Sequence, residues 1–302
     1  MWKYIYILIF FRDAYKKRYF LKLLNVVNVM VKIFRTATLA LFIVVLIAFI
    51  VFTAMETVSL DTTIPEIKID SDIIEISVND KEDVLLKGVA AYDEKDGDIT
   101  DKVLIESISK FTDPGVCTVT YAVVDSDKHV TKQSRTVKYT DYTAPEFYMK
   151  RALVYAVDEA MDIRAAVGAR DCIDGDISDK VTIIATDYVQ NTAGVFTVSL
   201  QVSNSMGHTI YLDVTVHVEG NETMAPEIQL KKSLIYIKKG EQPVFEDYIS
   251  DVTVNGVLMK DYQLLISTNF DPETEGTYNV HYYISTDEGY EGHSILTVVV
   301  EE

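Results

Sequence analysis

The motif that decides the fold occurs twice in the chain. Residues 93–103 read DEKDGDITDKV and residues 171–181 read DCIDGDISDKV, at an offset of 78 positions. An Asp-Gly pair among further aspartates is typical of a tight turn, because glycine tolerates positive φ and the carboxylates accept hydrogen bonds from free backbone amides. The recurrence predicts that the chain contains structural repeats with the same turn.

Two further landmarks extend the repeat to three units. Pro65, Pro145 and Pro226 each precede a glutamate and are 80 and 81 residues apart. In every unit a glycine turn leads into a segment with alternating apolar residues, which is typical of a half-buried strand. The positions on the apolar face are Cys117, Val119, Tyr121 and Val123; Phe196, Val198, Leu200 and Val202; and Tyr278, Val280, Tyr282 and Ile284.

The number of strands predicts the fold class. Each unit has room for six or seven short strands and shows no helical period. We therefore predict an all-β fold of three tandem Ig-like antiparallel β-sandwich domains, preceded by a single N-terminal transmembrane helix. The predicted domains are residues 61–141, 142–221 and 222–302, and the third is divergent because it lacks the acidic motif.

The N-terminal helix is predicted from an uncharged stretch. Between Arg35 and Glu56 lie 20 uncharged residues, Thr36 to Met55, without glycine or proline. At about 1.5 Å per residue a helix of this length spans roughly 30 Å, the hydrocarbon thickness of a bilayer. We predict a transmembrane helix at residues 36–57, with Thr36 to Met55 in contact with lipid.

The charge distribution predicts the topology. The formal net charge of the chain is -18, yet residues 1–60 carry eight basic and two acidic side chains, a net charge of +6. The remaining 20 basic and 44 acidic side chains give -24. By the positive-inside rule, residues 1–35 are a basic cytoplasmic segment and the C-terminal domains are extracellular, in a single-pass type II cell-membrane protein. So acidic an external part disfavours nucleic acid as a partner, because nucleic acid binds basic surfaces.

Three alternatives at the N-terminus stay open. A cleaved signal peptide would have a shorter apolar region that ends in small residues, whereas Phe52 places a bulky ring near the end of this one. The residues before the span could form an amphipathic helix on the inner leaflet, with Lys16, Lys17, Arg18 and Lys22 against anionic lipid. Translation could instead start at Met30.

The order of the features resembles a known family. The Pro-Glu opening, the acidic motif, a Pro-Gly turn and the strand from Thr118 to Asp125 are similar to the bacterial immunoglobulin-like module named for an insecticidal crystal toxin. The second unit keeps the motif but has Ser203 where the late aspartate of the module would fall, and the third unit is recognised mainly by position. The resemblance implies sandwiches of spacer or adhesive type and does not imply an enzyme.

The acidic turns are the candidate binding sites. The candidates are Asp93, Asp96, Asp98, Asp101, Asp171, Asp174, Asp176 and Asp179. Carboxylate oxygens are the ligands that calcium prefers, so calcium is the one cofactor that the sequence suggests. An EF-hand is excluded, because its register would need acids at Tyr92 and Val103. The alternative interpretation, which we favour, is a structural turn without a metal.

The sequence predicts no catalytic centre. Paired carboxylates could indicate a glycosidase, but these acids repeat once per domain in short turns, where no large cleft is expected. The sequence contains no nucleophile elbow, zinc motif or phosphate loop. His129 and His208 fall at matching loop positions, which favours a loop role over metal binding, and the other three histidines are scattered. Cys117 is predicted to be a small buried hydrophobe, and Cys172, among carboxylates, a poor nucleophile.

Three functional hypotheses follow from these expectations. The first is a membrane-anchored extracellular Ig-like repeat protein of a bacterial envelope, acting as a non-catalytic spacer or surface interaction module toward a protein or glycan partner. The second is a calcium- or glycan-dependent adhesin, with its site in the acidic turns or in the third domain. The third is an accessory subunit of an envelope enzyme or secretion complex.

Overall fold

The computed structural model of the protein describes residues 2–59, 63–220 and 225–302. Two compact units are present, one of Met1–Ile64 with Ser126–Lys128 and one of Pro65–Asp125 with His129–Glu302. The predicted domain boundaries at residues 61 and 221–222 lie outside the described residues. The domain limits therefore stay predictions.

The first unit is dominated by one helix, α1 (Trp2–Ser59), which runs without a break over 58 residues. Its sequence contains neither glycine nor proline, the residues that most destabilise helix interiors. Within it, Lys16–Met55 is long and apolar enough to cross a membrane. Its most apolar stretch of 18 residues has a mean hydropathy of 2.9, and none of that stretch is buried. The structure confirms an apolar N-terminal helix that is longer than the predicted residues 36–57. Length and composition alone fit an anchor or a signal sequence.

The second unit contains three pairs of sheets. The strands of the first sandwich are β1 (Glu66–Ile69), β2 (Ile73–Ile76), β3 (Val89–Asp93), β4 (Gly97–Asp98), β5 (Leu104–Ile108), β6 (Val116–Val124) and β7 (Val130–Tyr139). They form a three-stranded sheet of order β1-β3-β4 and a four-stranded sheet of order β2-β7-β6-β5. Short 3-10 helices at Glu82–Leu86 and Thr100–Lys102 complete it.

The second sandwich repeats this arrangement. Its elements are β8 (Glu146–Met149), β9 (Val154–Ala156), the short helix α2 (Ile163–Ala166), β10 (Val167–Asp171), β11 (Gly175–Asp176), a 3-10 helix at Ser178–Lys180, β12 (Thr182–Thr186), β13 (Gly194–Ser203) and β14 (Thr209–Glu219). The sheet orders are β11-β10-β8 and β12-β13-β14-β9.

The third sandwich has the same two sheets with a different turn. Its elements are β15 (Glu227–Leu230), β16 (Leu234–Lys238), a 3-10 helix at Phe245–Tyr248, β17 (Ile249–Val254), β18 (Val257–Leu258), β19 (Gln263–Thr268), β20 (Gly276–Ser285) and β21 (Glu291–Glu301). The sheet orders are β15-β17-β18 and β16-β21-β20-β19. Asn255 and Gly256, with φ of 48° and 74°, replace the acidic turn by an Asn-Gly hairpin turn.

One strand pair in each sandwich departs from the predicted antiparallel pattern. Strands β2 and β7, β9 and β14, and β16 and β21 pair in parallel, whereas the other pairs are antiparallel. Parallel neighbours cannot be joined by a hairpin, so the chain crosses the rest of the sandwich between them. The three units therefore share one topology as well as one sequence pattern.

The predicted inward faces are confirmed. Cys117, Val119, Tyr121 and Val123 on β6 are at most 1% exposed. The corresponding positions on β13 and β20 are also buried, except Tyr278, which is partly buried and packs against the core of the third sandwich. Alternation on a long central strand therefore predicted the core of each sandwich correctly.

Candidate functional site

The acidic turn of the first sandwich is organised by its own carboxylates. Asp93 Oδ2 accepts hydrogen bonds from the amides of Lys95 and Asp96, each at 3.0 Å. Gly97 has a φ of 76°, as predicted for the turn. Asp98 Oδ1 accepts from the amide of Thr100 at 3.0 Å, and hydrogen bonds from Thr100 lower the pKa of Asp98. These carboxylates hold the turn together.

The acidic turn of the second sandwich has the same bonds. Asp171 Oδ1 accepts from the amides of Ile173 at 2.9 Å and Asp174 at 3.0 Å. Asp176 accepts from the side chain and amide of Ser178, at 2.5 Å and 3.0 Å, and these bonds lower the pKa of Asp176. The turn role that the sequence favoured is therefore the one that the hydrogen bonds support.

The remaining four candidates form ion pairs or are exposed to solvent. Asp96 lies 3.7 Å from Lys102 Nζ, and Asp174 pairs with Lys180 Nζ at 2.8 Å. Asp101 and Asp179 are exposed in the 3-10 helices. Among the described residues, no three of the eight aspartates bring carboxylate oxygens within 4.8 Å of one another. Calcium binding there stays a prediction.

The two turns differ at one carboxylate oxygen. Asp171 Oδ2 accepts a hydrogen bond from Asn204 Nδ2 at 3.1 Å. Asp93, only 1% exposed, has no hydrogen-bond partner for Oδ1. Asp125 holds the position of Asn204 in the first sandwich, because the amides of His129 and His208 donate to the Oδ1 atoms of Asp125 and Asn204, respectively. Two carboxylates in the first sandwich thus correspond to a carboxylate and an amide in the second.

This equivalence corrects one sequence expectation. Ser203 was expected at the position of Asp125, but Asn204 lies there. The reason is that the offset between the sandwiches is 78 at the acidic turns and 79 at strands β6 and β13, where Cys117 and Phe196 occupy equivalent core positions. The intervening segment is one residue longer in the second sandwich.

Two histidines lie in loops, as predicted. His129 Nδ1 is 2.7 Å from Asp125 Oδ2. His208 Nδ1 is 2.8 Å from the hydroxyl of Tyr142, which also accepts from Asn204 Nδ2 at 2.9 Å. Both rings are used as hydrogen-bond partners at the base of a loop.

The other three histidines, scattered in the sequence, come together. We call His217, His281 and His293 the histidine cluster. One ring nitrogen from each can be chosen so that all three lie within 4.8 Å of one another, and the described residues contain no other such group of histidine, cysteine or carboxylate side chains. His281 Nδ1 is 3.0 Å from His293 Nε2. Sequence reasoning missed this group.

Strand alternation explains why the cluster forms. On β14 the core side chains Val216 and Val218 alternate with His217 and Glu219, which point away from the core of the second sandwich. On β20 His281 alternates in the same way with core residues. The junction of the second and third sandwiches brings these outward faces together, as shown by Asn279 Nδ2, which donates to Thr215 Oγ1 at 2.8 Å.

Glu219 is the acidic partner of the cluster. His293 Nδ1 donates to Glu219 Oε1 at 2.5 Å, and His217 Nδ1 lies 3.8 Å from the same oxygen. The bond from His293 lowers the pKa of Glu219. Burial, with the neighbouring histidines, lowers the pKa of His217 to about 4 and also lowers the pKa of His281. Glu219, Tyr283 and His293 also line a cleft of about 960 Å³.

The two cysteines have different surroundings: Cys117 is buried, as the sequence predicted, and Cys172 contacts the backbone. Cys117 is fully buried, and burial raises the pKa of its thiol. Cys172 Sγ donates to the carbonyl of Thr143 at 3.2 Å. Both are free thiols.

Two curated proteins share sequence similarity with the chain. No family model matches it. An uncharacterized 81.3 kDa protein of Acholeplasma phage L2 is 28% identical over 138 residues, which are 44% of this chain and 18% of the relative. The pesticidal crystal protein Cry22Aa of Bacillus thuringiensis is 23% identical over 217 residues, which are 70% of this chain and 29% of the relative. The chain thus spans less than a third of either relative. The second match supports the resemblance drawn from the acidic motif at the level of an immunoglobulin-like fold.

Several solved structures are similar to the chain at low TM-scores. One holds CBM51-2, in complex with GlcNAc, and INT domains of Clostridium perfringens ZmpB; it is 16% identical, covers 52% of this chain and 42% of its own, and has a TM-score of 0.27. Drosophila N-cadherin EC1-3 is 12% identical, with coverages of 65% and 80% and a TM-score of 0.26. Drosophila N-cadherin EC1-4 is 10% identical, with coverages of 80% and 76% and a TM-score of 0.21. At these scores the likeness carries nothing about the ligands or partners of this chain.

Proposed function

We propose that the chain is a membrane-anchored, non-catalytic surface interaction module of a bacterial envelope, with its N-terminus in the cytoplasm and its sandwiches outside the cell. The observation that carries the proposal is helix α1, whose uncharged stretch from Thr36 to Met55 is continuous with the basic residues before it. The net charges of +6 over residues 1–60 and -24 over residues 61–302 support the orientation.

The hydroxyl groups of the helix fit a lipid environment. Thr36 Oγ1 donates to the carbonyl of Ile33 at 2.9 Å, and Thr38 Oγ1 donates to the carbonyl of Phe34 at 2.6 Å. Thr53 Oγ1 donates to the carbonyl of Ile50 at 3.0 Å. Polar groups in a bilayer must be satisfied within the protein, and these local bonds meet that requirement.

The proposed partner is a protein or a glycan outside the membrane. Three tandem sandwiches offer surface to such a partner, and the external charge of -24 disfavours polyanions by repulsion. The proposal assigns no catalytic step to the chain.

Cysteine labelling in cells tests the anchor and its orientation. In a Cys172→Ser background, Lys22→Cys and Asp287→Cys place single thiols before and after the span, and Cys117 is buried. A membrane-impermeant maleimide should label residue 287 in intact cells and residue 22 only after permeabilisation. The opposite pattern, or a mature chain that lacks the helix by mass, would overturn the proposal.

A matched pair of arginine variants tests the span itself. Each arginine at the centre of a transmembrane helix costs about 2.5–3.5 kcal/mol on insertion scales. The double change Val45→Arg and Leu46→Arg should therefore release the chain from carbonate-washed membranes. The same change at Val26 and Val27, before the span, should leave it bound. Equal retention of both variants would contradict a span at residues 36–55.

A second candidate function, a calcium-dependent adhesin, is favoured by one observation. Asp93 is buried with a carboxylate oxygen that has no hydrogen-bond partner, whereas Asp171 has Asn204. An unsatisfied buried carboxylate oxygen is costly, and a cation would satisfy it. Calcium at millimolar concentration should then raise the melting temperature of the full chain in detergent. Asp93→Asn should abolish the increase, and Asp171→Asn, the control, should keep it. No effect of calcium on the wild-type chain would remove this candidate and leave the anchor proposal intact.

A further inference from the structure

We propose that His217, His281 and His293 form a site for a transition-metal ion of the zinc class at the junction of the second and third sandwiches. The three ligands come from two sandwiches, since His217 lies on β14 and the other two lie on β20 and β21. The site depends neither on helix α1 nor on the acidic turns.

The donor set has the chemistry and the spacing of a zinc site. Imidazole nitrogens bind zinc at about 2.0–2.1 Å, which places tetrahedral ligand nitrogens about 3.3 Å apart. His281 Nδ1 and His293 Nε2 are 3.0 Å apart, and all three donor nitrogens lie within 4.8 Å of one another. The ion would replace the proton that His281 Nδ1 donates to His293 Nε2, which would pass to the other ring nitrogen of His281 or to solvent. His217 would move by no more than about 1.5 Å to complete the set.

The three histidine ligands lie on paired β-strands. His293 pairs directly with Tyr283 across the β20–β21 hairpin, and their rings stack with centroids 4.5 Å apart and planes 7° apart. The ring of His217 packs on both other histidines, with centroids 5.1 Å apart in each case. A site whose first ligands are held by strands and stacked rings needs little reorganisation to bind an ion.

Glu219 acts as a positioning residue. Its carboxylate accepts the Nδ1 proton of His293, whose side chain is only 4% exposed. With Nδ1 protonated, the lone pair of a neutral His293 is on Nε2, the atom that faces His281. A carboxylate that orients the far nitrogen of a histidine in this way is typical of metal-binding imidazoles.

A purely hydrogen-bonded cluster explains two of the histidines but not the third. His217 Nδ1 is 3.8 Å from Glu219 Oε1, too far for a hydrogen bond. A bound ion would give a nitrogen of this half-buried ring a direct ligand bond. It also links the second sandwich to the third, so that metal binding stabilises their association by mass action.

Cobalt and zinc titrations of the full chain in detergent, without a polyhistidine tag and after treatment with chelator, test the site. Cobalt should produce the visible absorption of a tetrahedral complex at one ion per chain, and zinc should bleach it. His281→Gln should weaken binding at least 100-fold, and Glu219→Gln should weaken it about 10–100-fold. His129→Gln and His208→Gln are matched controls outside the cluster and should bind as the wild type does.

A second measurement uses only the wild-type chain, so it does not depend on whether the variants fold. Zinc should shield His217, His281 and His293 from diethyl pyrocarbonate, mapped by mass spectrometry, and should leave the reaction of His129 and His208 unchanged. The proposal is overturned if cobalt gives no tetrahedral absorption with the wild type, if a folded His281→Gln variant binds with wild-type affinity, or if zinc protects none of the three histidines.

Discussion

The two junctions between sandwiches join similar domains in different ways. At the first junction a loop of the second sandwich meets the first: the amide of Phe111 donates to the carbonyl of Met206 at 2.9 Å, and the ring of Phe111 packs edge-on to Tyr142, with centroids 4.8 Å apart. At the second junction sheet faces meet, and Leu234, from the third sandwich, is buried in the core of the second.

The difference shows how position decides the role of a histidine. At the first junction, His208 is a hydrogen-bond partner of Tyr142, whose hydroxyl also accepts from Asn204. Asn204 Nδ2 also donates to Asp171 Oδ2 at 3.1 Å. At the second junction three imidazoles meet around one carboxylate, and His217 has no hydrogen bond to it at 3.8 Å. The first arrangement is structural, and the second has the donors of a ligand set.

The largest effect is expected where the cores merge. Leu234 is 7% exposed and packs within the core of the second sandwich, and Tyr236 accepts a hydrogen bond from the amide of Phe147 nearby. Leu234→Ala should lower the free energy of unfolding by about 2–4 kcal/mol, because it removes buried methyl groups and leaves a cavity. Denaturant titration of the full chain, followed by circular dichroism, measures the change.

The control for this prediction lies in the same sandwich. Leu265 is 62% exposed, so Leu265→Ala should change the free energy of unfolding by no more than about 0.5 kcal/mol. Equal effects of the two substitutions would mean that the second and third sandwiches do not share a core in solution.

A smaller effect is expected at the first junction. Tyr142→Phe keeps the ring against Phe111 but removes the hydroxyl that contacts His208 and Asn204. We expect a loss of about 1–2 kcal/mol, since the buried Asn204 and the half-buried His208 each lose a hydrogen bond. Burial, followed by the charge of Asp171, raises the pKa of Tyr142 to about 12, so the hydroxyl keeps its proton from pH 6 to pH 9. Tyr211→Phe, at a side chain 66% exposed, is the control. A loss no larger than that of the control would contradict the role of the hydroxyl.

The fold was predictable because its signals are local. The acidic turns, the glycine turns and the alternation on β6 lie within stretches of about ten residues, and each has one physical cause, such as positive φ at Gly97 and Gly175 or burial of one strand face. The parallel pairs were missed, because strands such as β2 and β7 are neighbours only after the whole sandwich has formed.

The histidine cluster was not predictable from spacing. His217 and His281 are 64 residues apart and belong to different sandwiches, and they meet only because two outward sheet faces pack together. Metal motifs are recognised by short spacings within one element, which this cluster lacks. The usable signal is the alternation of side chains along a strand. His217, Glu219 and His281 all alternate with core residues, so each faces away from the core of its own sandwich.

The smallest expected effect is the pH-dependent contribution of Asp174 to stability at the first junction. Asp174 accepts from the amide of Ser205 at 2.6 Å and from Lys180 Nζ at 2.8 Å, and Lys110 Nζ donates to the carbonyl of the same Ser205 from the first sandwich. Burial alone would raise the pKa of Asp174, but the hydrogen bonds from Lys180 and Ser205 outweigh it and hold the pKa below its usual 3.8. A carboxylate with a lowered folded pKa stabilises the protein above its ordinary pKa, and this contribution is lost as the pH falls through the folded value.

Asp174→Asn should therefore cost about 0.5–1 kcal/mol at pH 7, and the difference from the wild type should shrink as the pH is lowered below about 4. Asp213→Asn, on an exposed position of β14, is the control. Because wild type and variant share every histidine, the difference between their unfolding free energies isolates Asp174 from the second junction. A difference that stays constant from pH 7 to pH 3 would show that the carboxylate of Asp174 does not support the loop on which the first junction rests.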